Sequence, residues 1–143
     1  MATGFSHFGI CVSDLDRSLR FYCEALDFAP AQQHSVGAEF GRLMEIDDVA
    51  LTSQFIRREG LLVELLLYNR PGHVGEPVRR PLNQLGLTHL NFRVDDIDDV
   101  AARIVEHGGA VLEQTRTTFT SGFDADFVYC TDPDGVRIEL MRL

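Results

Sequence analysis

The chain repeats itself in two registers, and the registers occur in the same order in each half. Ser6-His7-Phe8-Gly9-Ile10-Cys11-Val12-Ser13-Asp14-Leu15-Asp16 aligns with Thr88-His89-Leu90-Asn91-Phe92-Arg93-Val94-Asp95-Asp96-Ile97-Asp98 at an offset of 82 (89 − 7). His, Val and two Asp coincide, Leu15 meets Ile97, and at the same offset Glu24 meets Glu106. Further on, Gly60-Leu61-Leu62-Val63-Glu64-Leu65 aligns with Gly135-Val136-Arg137-Ile138-Glu139-Leu140 at an offset of 75 (139 − 64). One register opens each half and the other closes it. A duplicated chain folds as two copies of one supersecondary unit, so the periodicity of either copy constrains both. The offsets differ by seven residues (82 − 75), so the first half carries the longer interior.

Each copy opens with strand alternation. Phe8, Ile10 and Val12 make an apolar face, with His7, Gly9 and Cys11 opposite. Leu90, Phe92 and Val94 repeat that face, with His89, Asn91 and Arg93 opposite. A helix follows in each half. Ser13 or Asp14 caps the first, with Leu15, Leu19, Tyr22 and Leu26 at helical spacing. Asp95 or Asp96 caps the second, with Ile97, Val100, Ile104 and Val105 inward, and Gly108-Gly109 ends it. Three strand-like runs then close each half: Phe40–Glu45, Val49–Arg57 and Leu61–Tyr68 in the first, and Ala110–Thr115, Ala125–Thr131 and Val136–Arg142 in the second. Asp132-Pro133-Asp134-Gly135 is the turn between the last two. Each half therefore reads β-α-β-β-β, an α+β architecture. The first module spans about residues 1–68 and the second about 86–143. The stretch of about 69–85, with Pro71, Gly72, Gly75, Pro77 and Pro81, reads as the linker. It is long for a connection inside a domain, and long connections often carry function.

Composition narrows the partners. At 143 residues the chain has the length of one ordinary domain. A formal net charge of -9 repels phosphate backbones, so nucleic acid is excluded as an expected partner. No apolar run approaches a membrane span, and Met1-Ala2-Thr3-Gly4-Phe5 has neither a basic start nor an apolar signal core. The expected setting is the cytoplasm, with a small-molecule substrate. Cys11, Cys23 and Cys130 are odd in number and show no CxxC spacing, which argues against a disulfide framework and a thiolate zinc site.

Four residues carry the chemistry. The apolar face of each opening strand must cover its helix, so His7 and His89 lie on the face that looks away from it. Glu64 and Glu139 interrupt the apolar runs Leu61–Leu67 and Val136–Met141. A carboxylate in a central strand is costly to bury without a partner, and a divalent cation is one partner that offsets the cost. A single strand histidine is ordinarily a half-buried residue, and a single strand glutamate ordinarily faces solvent. The duplication changes that weighting, because both residue types recur at matching places in both halves. A two-fold relation would bring all four to one ion. Two imidazoles and two carboxylates suit Ni, Zn, Co, Mn or Fe. Cys11 shares the His7 face as a pocket residue or a small filler. His34, His73 and His107 lack repeat partners and read as loop or helix-surface residues. Asp14, Asp16, Asp96 and Asp98 read as caps and first-turn charge rather than a metal cluster.

The sequence His7-Phe-Gly-Ile-Cys-Val-Ser-Asp-Leu-Asp-Arg-Ser-Leu-Arg-Phe-Tyr22, followed by Leu26-Asp27-Phe28, resembles the opening of glyoxalase I and its relatives in the vicinal oxygen chelate superfamily. Leu87-Thr-His89-Leu-Asn-Phe-Arg-Val-Asp-Asp-Ile97 resembles the corresponding second-half opening, also seen in methylmalonyl-CoA epimerases. Asp132-Pro-Asp-Gly-Val-Arg-Ile-Glu139-Leu resembles the family's closing hairpin. The likeness spans nearly the whole chain. Asp27 departs from it, standing where these proteins usually carry Gly.

The resemblance implies two tandem βαβββ modules forming a cup-shaped open barrel around one divalent metal ion. It places the metal ligands at His7, Glu64, His89 and Glu139. It also implies a metal-dependent lyase or isomerase that stabilises an enediolate or enolate on the metal, with Glu139 as the proton-transfer group and Glu64 as the second carboxylate. Arg79, Arg80 and Arg93 are candidates for steering an anionic substrate, with solvated loop arginines the plainer reading of the first two. Glu39 and Glu45 are candidate extra bases or surface strand residues. Relatives are often dimers, so a homodimer is the expected assembly of this chain. Two other functions belong to the same family. Extradiol dioxygenases use Fe(II) with two His and one Glu, and fosfomycin-modifying transferases show a similar three-ligand pattern; Glu64 argues against both. Bleomycin-resistance proteins bind drugs without catalysis and lack the ligands.

Overall fold

A computed structural model describes residues 1–143. The chain divides into two compact units, residues 1–23 with 27–75 and residues 24–26 with 76–143. The fold is α+β, built from two tandem βαβββ modules. In the first unit, strand β1 is Phe8–Cys11, helix α1 is Leu15–Arg20 and a π-helical turn continues it over Phe21–Ala25. Strand β2 (Ala29–Val36) follows, then a 3-10 turn (Ala38–Phe40), a short helix α2 (Gly41–Met44), β3 (Ala50–Arg58) and β4 (Leu61–Arg70). The second unit contains β5 (Leu90–Arg93), α3 (Ile97–Glu106), β6 (Ala110–Phe119), β7 (Ala125–Thr131) and β8 (Arg137–Arg142).

Both sheets have the same topology. The first runs β1-β4-β3-β2 and the second β5-β8-β7-β6. β1 pairs parallel to β4, and β5 to β8, while the other pairings are antiparallel. The opening strand of each module thus lies beside the closing strand. That neighbour relation places position 7 near position 64, and position 89 near position 139.

The helices cover one face of each sheet, as the alternation requires. Asp14 in extended conformation accepts a hydrogen bond from the Arg17 amide at 2.9 Å and starts α1. Asp96 does the same for α3 through the Asp98 and Asp99 amides. Helix α1 packs on β4, and α3 packs on β6, β7 and β8. Val63, Leu65 and Ile56 are fully buried in the first unit, and Ile104, Ile138 and Leu140 in the second. Each such side chain contributes roughly 1.5–3 kcal/mol by leaving water. The residues between them, including Glu64 and Glu139, lie half-buried on the opposite face.

The turn before β8 has a specific geometry. The Asp132 carboxylate accepts from the Asp134 and Val136 amides, and Gly135 adopts φ 88. A Cβ at position 135 would come within 2.7 Å of the Val78 backbone, so only glycine fits.

One expected strand is corrected. Phe40–Glu45 is helical, ending at Glu45 with φ 55. The second strand of that module is Ala29–Val36 instead. That strand lies at the sheet edge, is almost wholly exposed and includes Pro30, so it lacks the apolar alternation that marks a half-buried strand. His34 consequently belongs to a strand and not to a loop. The other runs lie close to their expected places, with β6 extended to Phe119. No helix is long and apolar enough to cross a membrane.

Candidate metal centre

In the first unit, β1 and β4 build an imidazole–carboxylate pair. Parallel pairing puts Gly9 opposite Glu64, and the preceding alternation puts His7 on the same face. His7 Nε2 lies 3.2 Å from Glu64 Oε2. The Ser6 hydroxyl sits 2.9 Å from His7 Nδ1, and the edge of the Phe55 ring meets the imidazole at 5.2 Å and 89°. Ser53 Oγ donates to Glu64 Oε1. Both carboxylate oxygens of Glu64 are therefore engaged.

The second unit repeats this plan with different neighbours. His89 Nε2 lies 3.1 Å from Glu139 Oε2, and the Thr88 hydroxyl sits 2.9 Å from His89 Nδ1. Asn91, opposite Glu139 in the register, donates to the same Oε2 at 2.7 Å. Both contacts of Glu139 thus fall on one oxygen. Tyr129 replaces Phe55 beside the imidazole, at 5.5 Å and 75°. Its ring lies under the Arg137 guanidinium at 5.1 Å, and Arg137 donates to the Arg80 carbonyl at 2.9 Å. Burial pushes the Tyr129 phenol above its usual range, and the Glu139 charge adds to this. Tyr129 therefore remains a protonated donor at neutral pH. Thr115, Thr117, Phe127, Val128, Tyr129 and Glu139 line a cavity of about 270 Å³.

The donor set fits a borderline divalent cation. With metal–nitrogen and metal–oxygen bonds of about 2.0–2.2 Å, neighbouring ligand atoms of one ion lie about 3 Å apart. Each imidazole–carboxylate pair already has that separation. A hydroxyl on Nδ1 leaves Nε2 as the outward nitrogen, the kind of outer contact that orients a ligating histidine. Neither unit by itself gathers three His, Cys, Asp or Glu side chains around one point. Each holds one imidazole–carboxylate pair.

The remaining sequence candidates have other surroundings. Arg80 donates to the Leu87 carbonyl at 2.7 Å and supports its own loop. Arg79 is exposed, while Arg93 is exposed on the His89 face of β5. Glu39 accepts from the Gly37 amide, and Glu45 occupies the left-handed end of α2. Neither lies in a strand. His107 is 3.5 Å from Glu24, and Cys11 is exposed. Burial pushes the Cys130 thiol up to about 12, so it stays protonated. Asp27 adopts φ 57, which explains why a glycine suits that position and why a short polar side chain is tolerated there. A larger cleft of about 660 Å³ lies around the β3–β4 hairpin, with Asp27, Arg57, Arg58 and Leu62 in its walls, and contains none of the four candidate ligands. Asn91, Ser53, Phe55 and Tyr129 were not singled out from sequence. The residues opposite Glu64 become visible only once strand pairing is known, whereas counting across the turn before β8 could have placed Tyr129 opposite Glu139.

Comparison with known proteins agrees with this architecture. Residues 4–140 match the model of the Glyoxalase/Bleomycin resistance protein/Dioxygenase superfamily. The uncharacterized protein YaeR of Escherichia coli (strain K12) is 32% identical over 134 residues, covering 94% of this chain and 92% of that protein. Catechol-2,3-dioxygenase of Bacillus subtilis (strain 168) is 26% identical over 134 residues, covering 92% of this chain and 38% of the enzyme. Among solved structures, a glyoxalase family protein from Bacillus cereus superposes with a TM-score of 0.84 at 20% identity, covering 99% of this chain and 95% of that one. The chain belongs to the glyoxalase, bleomycin resistance protein and dioxygenase superfamily.

Proposed function

We propose that this protein is a divalent-metal-dependent lyase or isomerase of the glyoxalase I type, with His7, Glu64, His89 and Glu139 as ligands of one ion. The observation that carries this reading is the duplicated imidazole–carboxylate pair, at 3.2 Å and 3.1 Å, with each Nδ1 met by the hydroxyl of the preceding residue. A divalent ion held by these residues supplies Lewis acidity toward substrate oxygens.

The two carboxylates have different tasks in this reading. Glu64 is fixed through both oxygens, by Ser53 and by His7, so it acts as a holding ligand. Glu139 is fixed through Oε2 alone and forms part of the cavity wall, so Oε1 is the atom that takes and returns a proton. Asn91 keeps the carboxylate oriented while this happens. Tyr129, as a protonated donor on the same wall, hydrogen-bonds a substrate oxygen.

A second reading is ring cleavage of catechols with Fe(II). The Bacillus subtilis relative favours it, although this chain spans less than half of that enzyme. Glu64 as a second carboxylate ligand favours proton transfer instead. The test is metal analysis of the purified protein, followed by two assays on the reconstituted forms. Proton exchange in thiohemiacetals of 2-oxoaldehydes or in acyl thioesters, with nickel or zinc, is the expected activity. Iron-dependent oxygen uptake with catechols, without proton exchange, would replace this reading by the second. Protein purified without any divalent metal, and unable to bind one, would remove both.

A further inference from the structure

The strand registers assign each residue of one sheet a counterpart in the other. Phe55 pairs with Glu64, and Tyr129 pairs with Glu139, so Phe55 and Tyr129 are equivalent. Two residues earlier, Ser53 is equivalent to Phe127. On the edge strands, His34 pairs with Ser53 and Thr117 pairs with Phe127. His34 is therefore the counterpart of Thr117, and Thr117 lines the cavity beside Glu139.

His34 occupies the matching place on the Glu64 side. Its imidazole meets the Phe55 ring edge-on at 6.0 Å and 77°, and His7 meets the same ring at 5.2 Å. Phe55 is thus flanked by two imidazoles, one a candidate ligand and the other not. Ser53, the pairing partner of His34, is the residue that donates to Glu64. His34 is exposed, so an N–H can reach a ligand without first breaking a buried contact.

We propose that His34 is a substrate-binding residue that donates a hydrogen bond to an oxygen acceptor at the far end of the substrate. This rests on the metal-dependent reading above. Two strand spacings separate β2 from β4, so the acceptor lies about 10 Å from the metal-binding end. The substrate class is then an oxygen chelator with an extended arm that ends in a carboxylate or carbonyl, rather than a bare two- or three-carbon chelator.

Two hydroxamates with the same chelating head separate the possibilities. Acetohydroxamate has no arm, and suberic acid monohydroxamate carries a carboxylate on a six-methylene arm. Binding is measured by calorimetry on zinc-loaded wild-type protein, His34→Ala and His34→Gln, with zinc content read on each. The expected result is that His34→Ala binds the long probe about tenfold more weakly, the usual scale of one lost hydrogen bond to a charged group. Acetohydroxamate affinity and zinc content are unchanged, and His34→Gln, which keeps an N–H donor, recovers part of the loss. Equal affinity of wild type and His34→Ala for the long probe overturns the inference while leaving the metal reading intact. So does a long probe that binds wild type no tighter than acetohydroxamate. Wild-type protein that takes up no zinc overturns the metal reading, and this inference with it.

Discussion

The two units share a skeleton and differ in what surrounds it. Each pairs its opening strand parallel to its closing strand, caps its helix with Asp, and sets a histidine beside a glutamate. Across from the glutamate, however, the first unit has Gly9 and Phe55 where the second has Asn91 and Tyr129. The edge strand has His34 in the first and Thr117 in the second. On the helix-covered face the first unit has Thr52, bonded to Asn69, where the second has Asp126, bonded to Arg116. The shared backbone gives each unit the same placement of histidine and glutamate. In the proposed reading, the changed neighbours let one carboxylate hold while the other reacts.

The largest expected effect separates those two roles. Glu139→Gln should lower turnover about a thousandfold, the scale of losing a general base, while the structure remains intact. Glu64→Gln should act mainly by weakening metal affinity, because it alters a proposed ligand of the ion rather than the proton-transfer group. Steady-state kinetics at saturating metal distinguish the two. Equal losses of turnover in both variants would mean that the asymmetry around the carboxylates has no chemical consequence.

Stability should be asymmetric too. Asp126 is buried, and hydrogen bonds from Arg116 hold its carboxyl below the usual carboxylate range. A depressed folded-state value means that this stabilisation is present above the unfolded value of about 4 and is lost as pH falls through the folded one. Asp126→Asn should cost about 2–3 kcal/mol near neutral pH, because it leaves Arg116 with only Asp98. The difference from wild type should shrink in acid below about pH 4. Thr52→Ala in the first unit should cost no more than about 1 kcal/mol, with no acid dependence. Denaturant titration of the three proteins at neutral and acid pH checks both statements.

The smallest expected effect on the proposed site concerns Asn91. Asn91→Ala leaves Glu139 Oε2 with His89 as its only contact and should weaken metal affinity or turnover about tenfold, without loss of fold. Metal titration followed by kinetics at saturating metal shows which is affected. No change in either would show that the residue opposite Glu139 is dispensable, as Gly9 suggests for the first unit.

The sequence made one class of feature legible and concealed another. Alternation in Phe8–Val12 and Leu90–Val94 reports a face against a helix, because only one side of those strands is buried. Asp14 and Asp96 announce helix starts through their capping chemistry. The glutamates stand out because a charge inside an apolar run needs a reason. The edge strand Ala29–Val36 sends no such signal: neither face is buried, so Gln32, Gln33, His34 and Ser35 look like loop. The apolar residues Phe40 and Leu43 suggested a strand where the chain makes a short helix. Cross-strand partners were concealed for a different reason, since pairing is set by turn geometry and not by composition. In the second unit the turn could have been counted. Thr131 opposite Arg137 across Asp132-Pro133-Asp134-Gly135 fixes Tyr129 opposite Glu139.

The claim that four residues bind a common ion is tested most directly by metal content. Wild-type protein, His7→Ala and His89→Ala, each shown folded by circular dichroism, are dialysed against a slight excess of nickel or zinc, then against metal-free buffer, and analysed by atomic emission. A stoichiometric ion in wild type and near-complete loss in both variants is the expected result, because either change removes a ligand from the same ion. Unchanged metal in His89→Ala, or half the wild-type metal in each variant, would contradict it.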